Sequence, residues 1–367
     1  MNNFSTIYKN VDKPICGIVA FLGLISVLMI GSTSISTGFF SRSVIVQIAA
    51  YILGAIAIYI MLRFNYTIFL DMQKLLYISS LILLFLVYVP GLGVEQFGAR
   101  SWISLGFTTI QPSELVKILY ILILANYMNK HKDELYNFRC LLKSAMVAAP
   151  IILIVLKEDL GSALVFAAIW AVMIFFAGID LKAFAKLFAL AAAAVPVAYM
   201  VMADYQKERI EAFLHPDNLS IGANYQVWQS KVAIGSGGFF GKGLFNGTQK
   251  ELEFIPVQTS DFIFSVVGEE LGLFGGIIII ALFTIMLIRM MKMVRNSMDF
   301  YGALIIAGVI GMFTFQVFEN IAMTIGLMPV TGITLPFLSY GGSSILSNML
   351  AIGLVLNVST RSKRINF

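Results

Sequence analysis

Ten apolar segments, each close to the length that crosses a bilayer as a helix, take up most of this chain. Hydrophobic residues make up 59% of the sequence and charged residues 12%, and the mean hydropathy is +0.88. A soluble domain averages roughly 45–50% apolar and about 25% charged residues. The sequence therefore predicts an all-α polytopic membrane protein with about ten transmembrane helices. The predicted spans lie near residues 15–31, 44–62, 75–90, 113–128, 142–156, 161–178, 183–202, 262–288, 302–325 and 342–358.

The fifth and sixth segments form one long apolar run that is interrupted by Lys157, Glu158 and Asp159. Two helices joined at these charges would explain the interruption. A kink inside a re-entrant segment would also explain it and would change the number of spans by one or two. Residues 1–31 have a basic start and an apolar continuation, as in a signal peptide, but no A-x-A cleavage site follows. We therefore expect an uncleaved first span.

Charges in the loops indicate the orientation, because cytoplasmic loops of membrane proteins are enriched in Lys and Arg. With both termini in the cytoplasm, 16 of the 25 Lys and Arg residues lie on the inner side. Outside the long segment 203–260, only three lie on the outer side. The sequence therefore predicts cytoplasmic termini and one large extracellular loop, residues 203–260, between spans seven and eight.

Several classes of function lack their characteristic residues in this chain. Cys16 and Cys140 are its only cysteines and cannot form a disulfide framework. His131 and His215 have no companion at metal-ligand spacing, and no nucleotide-binding or metalloprotease motif occurs. The net charge of +5 reflects lysines and arginines in loops rather than a nucleic-acid surface. We expect neither nucleotide-driven chemistry nor a nucleic-acid partner, and no dedicated metal ligands.

A polar, glycine-rich segment, Gly222–Gly272, separates two apolar ones and carries Asp261 at the mouth of the eighth span. An ionisable group at the edge of the bilayer core is a candidate functional site. Asp261 could instead lie in the N-cap region of the helix, which would need no further function. Glu269 and Glu270 follow about two and a half turns later, and three acids in one span exceed what capping explains.

Two other charged clusters have a structural interpretation, and the first of them also has a functional one. Glu114 and Lys117 share one face of the fourth span. They could form an ion pair that holds this helix in the bundle, or the polar wall of a substrate cavity. Asp159 directly precedes Leu-Gly-Ser and suits the N-cap of the sixth span.

Two further segments are unusual for a membrane protein. Asn224–Lys231 has helical spacing with the amides Gln226 and Gln229 beside a tryptophan, which suits either the membrane surface or sugar binding. The glycines around Lys242 could cradle a phosphate through their N–H groups. Gly326–Ser344 has no charged residue and contains two prolines, so we expect a non-helical path that is buried by protein or lines a cavity.

Together these segments resemble the SEDS family, the bacterial membrane proteins of shape, elongation, division and sporulation. The resemblance runs from about Gly98 to Gly353, and the order and spacing of its motifs make it specific. Within the family, Gly-Thr-Gln after the glycine loop resembles the RodA, or elongation, branch. The motifs are Gln111–Lys117 (QPSELVK), Asp159–Gly161 (DLG), Tyr225–Gly238 (YQVWQSKVAIGSGG), Gly247–Gln249 (GTQ), Asp261–Phe264 (DFIF), Glu269–Gly272 (EELG) and Pro329–Ser344 (PVTGITLPFLSYGGSS).

The resemblance implies a single SEDS-type transmembrane domain, residues 1–367, in the bacterial cytoplasmic membrane. It implies a peptidoglycan glycosyltransferase that polymerises lipid II into glycan strands at the outer face of that membrane during cell elongation. The donor would be a glycan on undecaprenyl pyrophosphate. A class B penicillin-binding protein, a transpeptidase, would crosslink the product and activate the polymerase. Asp261 matches the family's essential acid, and Glu114, Lys117 and Asp159 match polar positions of its cavity.

The resemblance makes Asp261 the expected general base, because a positioned carboxylate can take the proton of the attacking sugar hydroxyl. Cations should stabilise the leaving pyrophosphate. No dedicated metal site is visible, although a divalent cation, Mg²⁺ or Mn²⁺, is compatible with this chemistry. The candidate cations are Lys117, Lys231, Lys242 and Arg100. The expected substrate-binding residues are Arg100, Glu114, Lys117, Asp159, Gln226, Gln229, Ser230, Lys231, Lys242 and Ser339.

Two other functions are compatible with polar groups inside the membrane. A lipid II flippase would move the precursor and would keep working without Asp261. A non-catalytic scaffold for a penicillin-binding protein would depend only on the residues that touch the partner. Three positions also depart from the family pattern: Pro256–Ser260 lacks the usual glutamate, Lys157-Glu158 replaces Gln-Pro, and Glu319 stands where an aliphatic residue is expected.

Overall fold

The computed structural model describes residues 10–34, 38–96, 99–104, 106, 109–135, 137–179, 181–218, 222–252 and 254–362. The residues outside these ranges include the basic start of the chain and part of the basic end, which contributed to the predicted orientation. The described part is mostly helical. Its α-helices are α1 (Lys13–Thr33), α2 (Arg42–Arg63), α3 (Gln73–Phe85), α4 (Pro112–Lys130), α5 (Phe138–Glu158), α6 (Leu160–Phe176), α7 (Leu181–Val201), α8 (Asp204–Leu214), α9 (Gly222–Gly237), α10 (Thr248–Glu251), α11 (Ile263–Arg295), α12 (Phe300–Thr324) and α13 (Gly342–Ser362).

The helices α1 to α7 and α11 to α13 coincide with the ten apolar segments, so the helical polytopic fold is confirmed. Among the described residues, six helices are long and apolar enough to cross a membrane, and two more apolar helices are shorter. The exact number of spans and the cytoplasmic termini stay predictions.

The interruption of the fifth and sixth segments is a junction between two helices. α5 ends at Glu158 and α6 begins at Leu160, and Asp159 between them is extended, with φ −150° and ψ 96°. The carboxylate of Asp159 accepts the N–H of Ser162 at 2.9 Å and so caps α6. The N-cap interpretation of Asp159 is confirmed.

Helices α4, α12 and α13 form the centre of the bundle and are mostly buried by the others. Helix α2 packs against α13 and leaves most of its apolar surface exposed at the periphery of the bundle, as expected for a surface that faces lipid. Glycines allow close approach: Gly54 of α2 lies against Met349 of α13, and Gly308 of α12 lies against Ile121 of α4. In a bilayer, such close packing rather than the hydrophobic effect holds helices together.

A small antiparallel sheet between α3 and α4 was not predicted. Ile103 in its central strand pairs with Gly93 on one side and with Ile110 on the other. Strands this short do not carry an alternating pattern long enough to be recognised in the sequence. The sheet leads directly into α4. Its strands, in sheet order, are β1 (Gly93–Gln96), β2 (Ala99–Ser104) and β3 (Thr109–Ile110).

The predicted extracellular loop, residues 203–260, contains the helices α8, α9 and α10. Helix α9 confirms the helical spacing of Asn224–Lys231. It packs against the bundle: the hydroxyl of Ser230 donates to the carbonyl of Thr324 at 2.6 Å and lies 2.6 Å from the hydroxyl of Ser265. Helix α9 is therefore part of the folded body and does not merely rest on the membrane surface.

Helix α11 is interrupted at Gly272, whose φ of 68° and ψ of −166° are accessible to glycine and strained for other residues. The loop Gly238–Gly243 fills the break. Two N–H groups of this loop donate to carbonyls before the break, and two N–H groups after it donate to loop carbonyls, all at 3.0–3.1 Å. This exchange satisfies backbone groups that the break would leave unpaired, and it fixes the polar loop to the helix.

Candidate active site

Asp261 lies just before α11 and does not cap it. The N-cap residue is Phe262, and no side chain makes a cap hydrogen bond there. The backbone carbonyl of Asp261 accepts the side-chain amide of Asn320 in α12 at 2.8 Å. Capping therefore does not explain this acid.

A cavity of about 400 Å³ lies beside Asp261, at the end of the bundle that we predict to be extracellular. Its wall combines the sheet, the residue before α4, the α5–α6 junction, α8, and the segments that precede α11 and α13. A concave site with convergent polar groups is the usual form of a small-molecule site. The polar residues on its wall include Ser101, Thr109, Gln111, Glu158, Asp159, Arg209, Thr259, Ser260, Asp261, Thr331, Thr334, Tyr340, Ser343 and Ser344.

Asp159 combines its capping role with a place on the cavity wall. Its carboxylate also accepts the hydroxyl of Ser162 at 2.7 Å and the side-chain amide of Gln111 at 3.0 Å. Because Gln111 directly precedes α4, this bond ties the α5–α6 junction to the fourth span. The structure thus brings Asp159 into the cavity of Asp261, where its contact with a substrate stays a prediction.

Arg209 of α8 contributes a positive charge to the cavity wall, and sequence analysis missed it. Its Nη1 donates to the carbonyl of Thr331 at 3.0 Å. A methyl group built on Gly332 would lie 3.5 Å from Oδ2 of Asp261 and 3.8 Å from Nη1 of Arg209, so both charges face the same residue. In the sequence, Arg209 belongs to no motif and is only one of several charges of the long loop.

Burial raises the pKa of the Asp261 carboxyl above its ordinary value. A hydrogen bond with Ser260 and the positive charge of Arg209 oppose this rise in pKa, and the charge of Asp159 adds to it. A carboxylate with a raised pKa is a stronger base than an ordinary aspartate, as proton abstraction from a hydroxyl requires.

The uncharged segment before α13 is irregular and largely buried, as predicted, and part of it lines the cavity. The hydroxyl of Ser339 donates to the carbonyl of Ser260 at 2.5 Å and accepts the N–H of Leu335 at 2.8 Å. From α2, Gln47 donates to the carbonyl of Ser339 at 3.0 Å and accepts the N–H of Gly341 at 3.2 Å. Ser339 therefore ties this segment to the residue before Asp261, and its side chain lies off the cavity wall.

Glu114 and Lys117 form a buried ion pair in α4, with 2.7 Å between Oε1 and Nζ. Ser347 of α13 donates to the carbonyl of Glu114 at 2.6 Å. The ion-pair interpretation of this motif is confirmed. Neither side chain borders the cavity, so the polar-wall interpretation of this pair is not supported.

The acids at the break in α11 pair with lysines of the polar loop. Nζ of Lys242 lies 2.7 Å from Oε1 of Glu269, and Lys250 forms a second, more deeply buried ion pair with Glu270. Glu270 also accepts the hydroxyl of Ser32 at the end of α1, at 2.5 Å. These pairs explain the two additional acids of the eighth span. They also place Lys242 in a structural pair away from the cavity wall.

The predicted substrate-binding residues of α9 lie outside the cavity wall. Gln229 is buried and donates to the hydroxyl of Tyr225 at 2.9 Å. Ser230 is occupied by its contacts with α11 and α12. Gln226 is half-buried and Lys231 is exposed. The structure does not bring these four predicted contacts to Asp261.

Arg100 in β2 borders a separate, smaller cavity that Glu158 and Asp159 also border. Its backbone N–H donates to Oε2 of Glu158 at 3.0 Å. Of the predicted substrate-binding residues, Asp159 is therefore the one that shares a cavity with Asp261.

Comparison with known proteins finds relatives over nearly the whole chain. Residues 13–364 match the FtsW/RodA/SpoVE family, described as cell cycle proteins. Stage V sporulation protein E of Bacillus subtilis is 38% identical over 85% of this chain and 85% of its own length. Peptidoglycan glycosyltransferase MrdB of Escherichia coli is 33% identical over 87% of this chain and 86% of its own.

Solved structures also match. A chain of a peptidoglycan synthase complex, whose structure concerns the coordination of polymerization and crosslinking, aligns with a TM-score of 0.81 and 29% identity. The alignment covers 96% of this chain and 99% of that one. Rod shape determining protein RodA of Thermus thermophilus aligns with a TM-score of 0.70 and 27% identity, over 96% of this chain and 98% of its own.

Proposed function

The chain belongs to the FtsW/RodA/SpoVE family of cell cycle proteins, and we propose that it is a peptidoglycan glycosyltransferase that polymerises lipid II. It is a multi-pass protein of the bacterial cytoplasmic membrane. The observation that carries the proposal is the carboxylate of Asp261, which has no capping role and lies on the wall of a polar cavity with Arg209. Relatives that are named as peptidoglycan glycosyltransferases support the activity.

In the proposed reaction, the 4-hydroxyl of a lipid II sugar attacks the anomeric carbon of the growing glycan. A glycosidic C–O bond forms, and the bond to undecaprenyl pyrophosphate breaks with its electron pair going to the pyrophosphate. Asp261 takes the hydroxyl proton as the new bond forms. The displacement converts the α-linked donor to a β-linked product. It requires one carboxylate as the base and one positive charge beside the leaving pyrophosphate.

Arg209 is the residue that we propose to stabilise the leaving pyrophosphate. It lies on the same cavity wall as Asp261, and a guanidinium offers N–H donors in a planar fork that suits phosphate oxygens. Lys117 and Lys242 are already paired with glutamates, and Lys231 and Arg100 lie off the wall. Arg209 therefore replaces the four cations that the sequence suggested.

A divalent cation, Mg²⁺ or Mn²⁺, fits this cavity together with the substrate. Mg²⁺ is commonly bound by one or two carboxylates and by substrate phosphates. The described residues contain no group of three or more potential metal ligands, but Asp159 and Asp261 line one cavity. We propose that Asp159, together with phosphate oxygens of the substrate, would hold the cation, which would supply positive charge to the pyrophosphate and leave the carboxylate of Asp261 free to act as the base. Activity that stops in EDTA and returns with Mg²⁺ would support this site, and full activity in EDTA would contradict it.

A class B penicillin-binding protein is the proposed partner. The structural match to a chain of a peptidoglycan synthase complex, in which polymerization and crosslinking are coordinated, supports it. We also place the chain in the elongation branch because of its motif Gly247–Gln249. Identity does not separate the branches, since the sporulation relative is 38% and MrdB 33% identical.

The proposed activity is tested with labelled lipid II and the purified chain, alone and with its class B partner. We expect ladders of glycan on a gel, stronger with the partner. Two results would contradict the proposal. Transport of lipid II across vesicles without ladders would favour a flippase, and partner crosslinking that needs this chain without ladders or transport would favour a scaffold.

The polymerisation rate should fall at low pH with a midpoint above about 3.9, the ordinary pKa of aspartate. Asp261 must be ionised to accept a proton, and burial raises its pKa. Because the charge of Arg209 holds this pKa down, Arg209→Gln should move the midpoint to higher pH, and Asp159→Asn should move it to lower pH. Initial rates from about pH 4 to pH 8 provide the measurement. A midpoint that neither substitution moves would assign the titration to another group.

A further inference from the structure

Glu319 is a fully buried acid for which the proposed mechanism has no use. It lies in α12 and does not border the cavity. Its Oε1 accepts the hydroxyl of Thr331, whereas its Oε2 has no hydrogen-bond partner among the described residues. Burying a carboxyl with one oxygen unpaired is unfavourable, so its presence requires an explanation.

Thr331 connects Glu319 to the cavity. Its hydroxyl reaches back to Glu319, and its backbone carbonyl accepts Nη1 of Arg209 at 3.0 Å. Thr331 and Arg209 both lie on the cavity wall. One residue therefore links the buried acid to the cation that we propose to bind pyrophosphate.

Asn320, the next residue of α12, binds the backbone on the Asp261 side of the cavity. Asn320 donates to the carbonyl of Asp261 at 2.8 Å and to that of Ile333 at 2.7 Å. Gly332 lies in the middle of segment 331–333 and has a positive φ of 80°. A methyl group built on it would contact the carboxylate of Asp261. Two successive side chains of one helix therefore anchor both ends of this segment beneath the cavity.

We propose that Glu319 is a positioning residue that acts through Thr331 to hold Arg209 on the cavity wall, and thereby sets the affinity for a pyrophosphate-linked donor. This inference rests on the proposed function, because it takes Arg209 as the pyrophosphate ligand. An apolar side chain in place of Glu319 would leave the hydroxyl of Thr331 without its acceptor. Thr331 could then turn, and the carbonyl that holds Arg209 would turn with it.

A purely structural role for Glu319 predicts a different result. Its loss would lower the melting temperature, while the folded protein would bind donor as before, and the effect would not depend on Arg209. The positioning role predicts that loss of Glu319 weakens donor binding. It also predicts that this loss has no further effect once Arg209 has been replaced, because Glu319 acts on the donor only through Arg209.

The test measures the Kd of undecaprenyl pyrophosphate, and the KM and kcat for the undecaprenyl-pyrophosphate-linked glycan donor at saturating lipid II, with the full-length chain in detergent. Glu319→Leu should weaken binding about tenfold or more and raise KM more than it lowers kcat. Glu319→Gln keeps an acceptor for the hydroxyl of Thr331 and should recover most of the affinity. In an Arg209→Gln background, Glu319→Leu should change Kd by less than about twofold.

A matched control is Gln316→Leu, which removes a buried polar side chain one turn earlier in α12 and should bind the probe as the unaltered chain does. Thr331→Val removes the hydroxyl that donates to Glu319 and so breaks the same hydrogen bond. This variant is used in the test if Glu319→Leu does not fold. If folded Glu319→Leu or Thr331→Val protein binds undecaprenyl pyrophosphate with unchanged affinity, the inference is wrong. It is also wrong if Glu319→Leu weakens binding equally in the Arg209→Gln background. Either result would leave the proposed function intact. An unaltered chain that neither binds the probe nor polymerises lipid II would overturn the proposed function.

Discussion

Asp261→Asn should abolish glycan polymerisation and leave the protein folded. Asparagine has nearly the same size as aspartate but cannot take the proton of the acceptor hydroxyl. A positioned general base contributes roughly 10²–10⁴-fold to a rate, so the initial rate should fall by about that factor. Because capping does not explain Asp261, the helix start should not depend on its charge.

The same substitution should leave thermal stability unchanged or raise it. Burial raises the pKa of Asp261, so the folded state binds this proton more tightly than the unfolded state does. The free energy of unfolding then falls as the pH rises from the unfolded pKa through the folded one. At neutral pH the charged carboxylate destabilises the fold, and asparagine removes that charge. Lost activity with retained stability is the signature of a functional residue.

The measurement combines initial rates of lipid II polymerisation with melting temperatures in the same detergent and with the same partner. Asp217→Asn is the matched control, because it neutralises an exposed carboxylate of the segment 203–260 that is not on the cavity wall. It should keep full activity. An Asp261→Asn protein with more than about a tenth of the original rate would assign the base to another group. A joint fall in melting temperature and rate would make Asp261 a structural residue.

Gly272→Ala should prevent normal folding of the polar loop Gly238–Gly243 against α11. The backbone angles of Gly272 cost a non-glycine residue about 1–3 kcal/mol. The new methyl carbon would also lie 2.7 Å from the carbonyl oxygen of Phe239, closer than real contacts allow. Overpacking of this kind adds about 1–3 kcal/mol. The clash is with backbone, so only displacement of the loop Gly238–Gly243 relieves it, and that would break the hydrogen bonds that fill the gap in α11.

Folded yield by size-exclusion chromatography and the melting temperature measure this effect. Gly235→Ala is the control, because Gly235 lies in α9 and a methyl group there would have no neighbour within 4 Å. It should leave stability unchanged or raise it by about 0.5–1 kcal/mol. A Gly272→Ala protein that melts within about 2 °C of the original would mean that the loop is not fixed to α11.

The helices that cross the membrane could be predicted from sequence, because the constraint behind them is local. Backbone groups in the hydrocarbon must be paired within the protein, and a helix pairs nearly all of them within its own segment, so an apolar run of the right length predicts a helix. Asp159 and Asp261 could be found for a related reason. A charge at the edge of an apolar segment requires an explanation before any fold is known.

The small sheet and the helices of the segment 203–260 were harder to predict, because these elements are short and their stability comes from packing. Arg209 shows the same difficulty in the site. It lies 52 positions before Asp261 in the chain, in a segment with no recognisable motif. Only the folding of α8 over the end of the bundle places its guanidinium on the cavity wall.

By itself, the sequence determined the class of protein, the position of its ten apolar helices, its family and the acid just before α11. The tertiary structure decided which polar groups share a cavity and which neutralise one another. Lys242 and Lys250 carried the same charge as Arg209 in the sequence, yet they pair with Glu269 and Glu270 while Arg209 borders the cavity. Such pairings join residues that lie far apart in the chain, so they depend on how the loops pack onto the bundle and not on any local pattern.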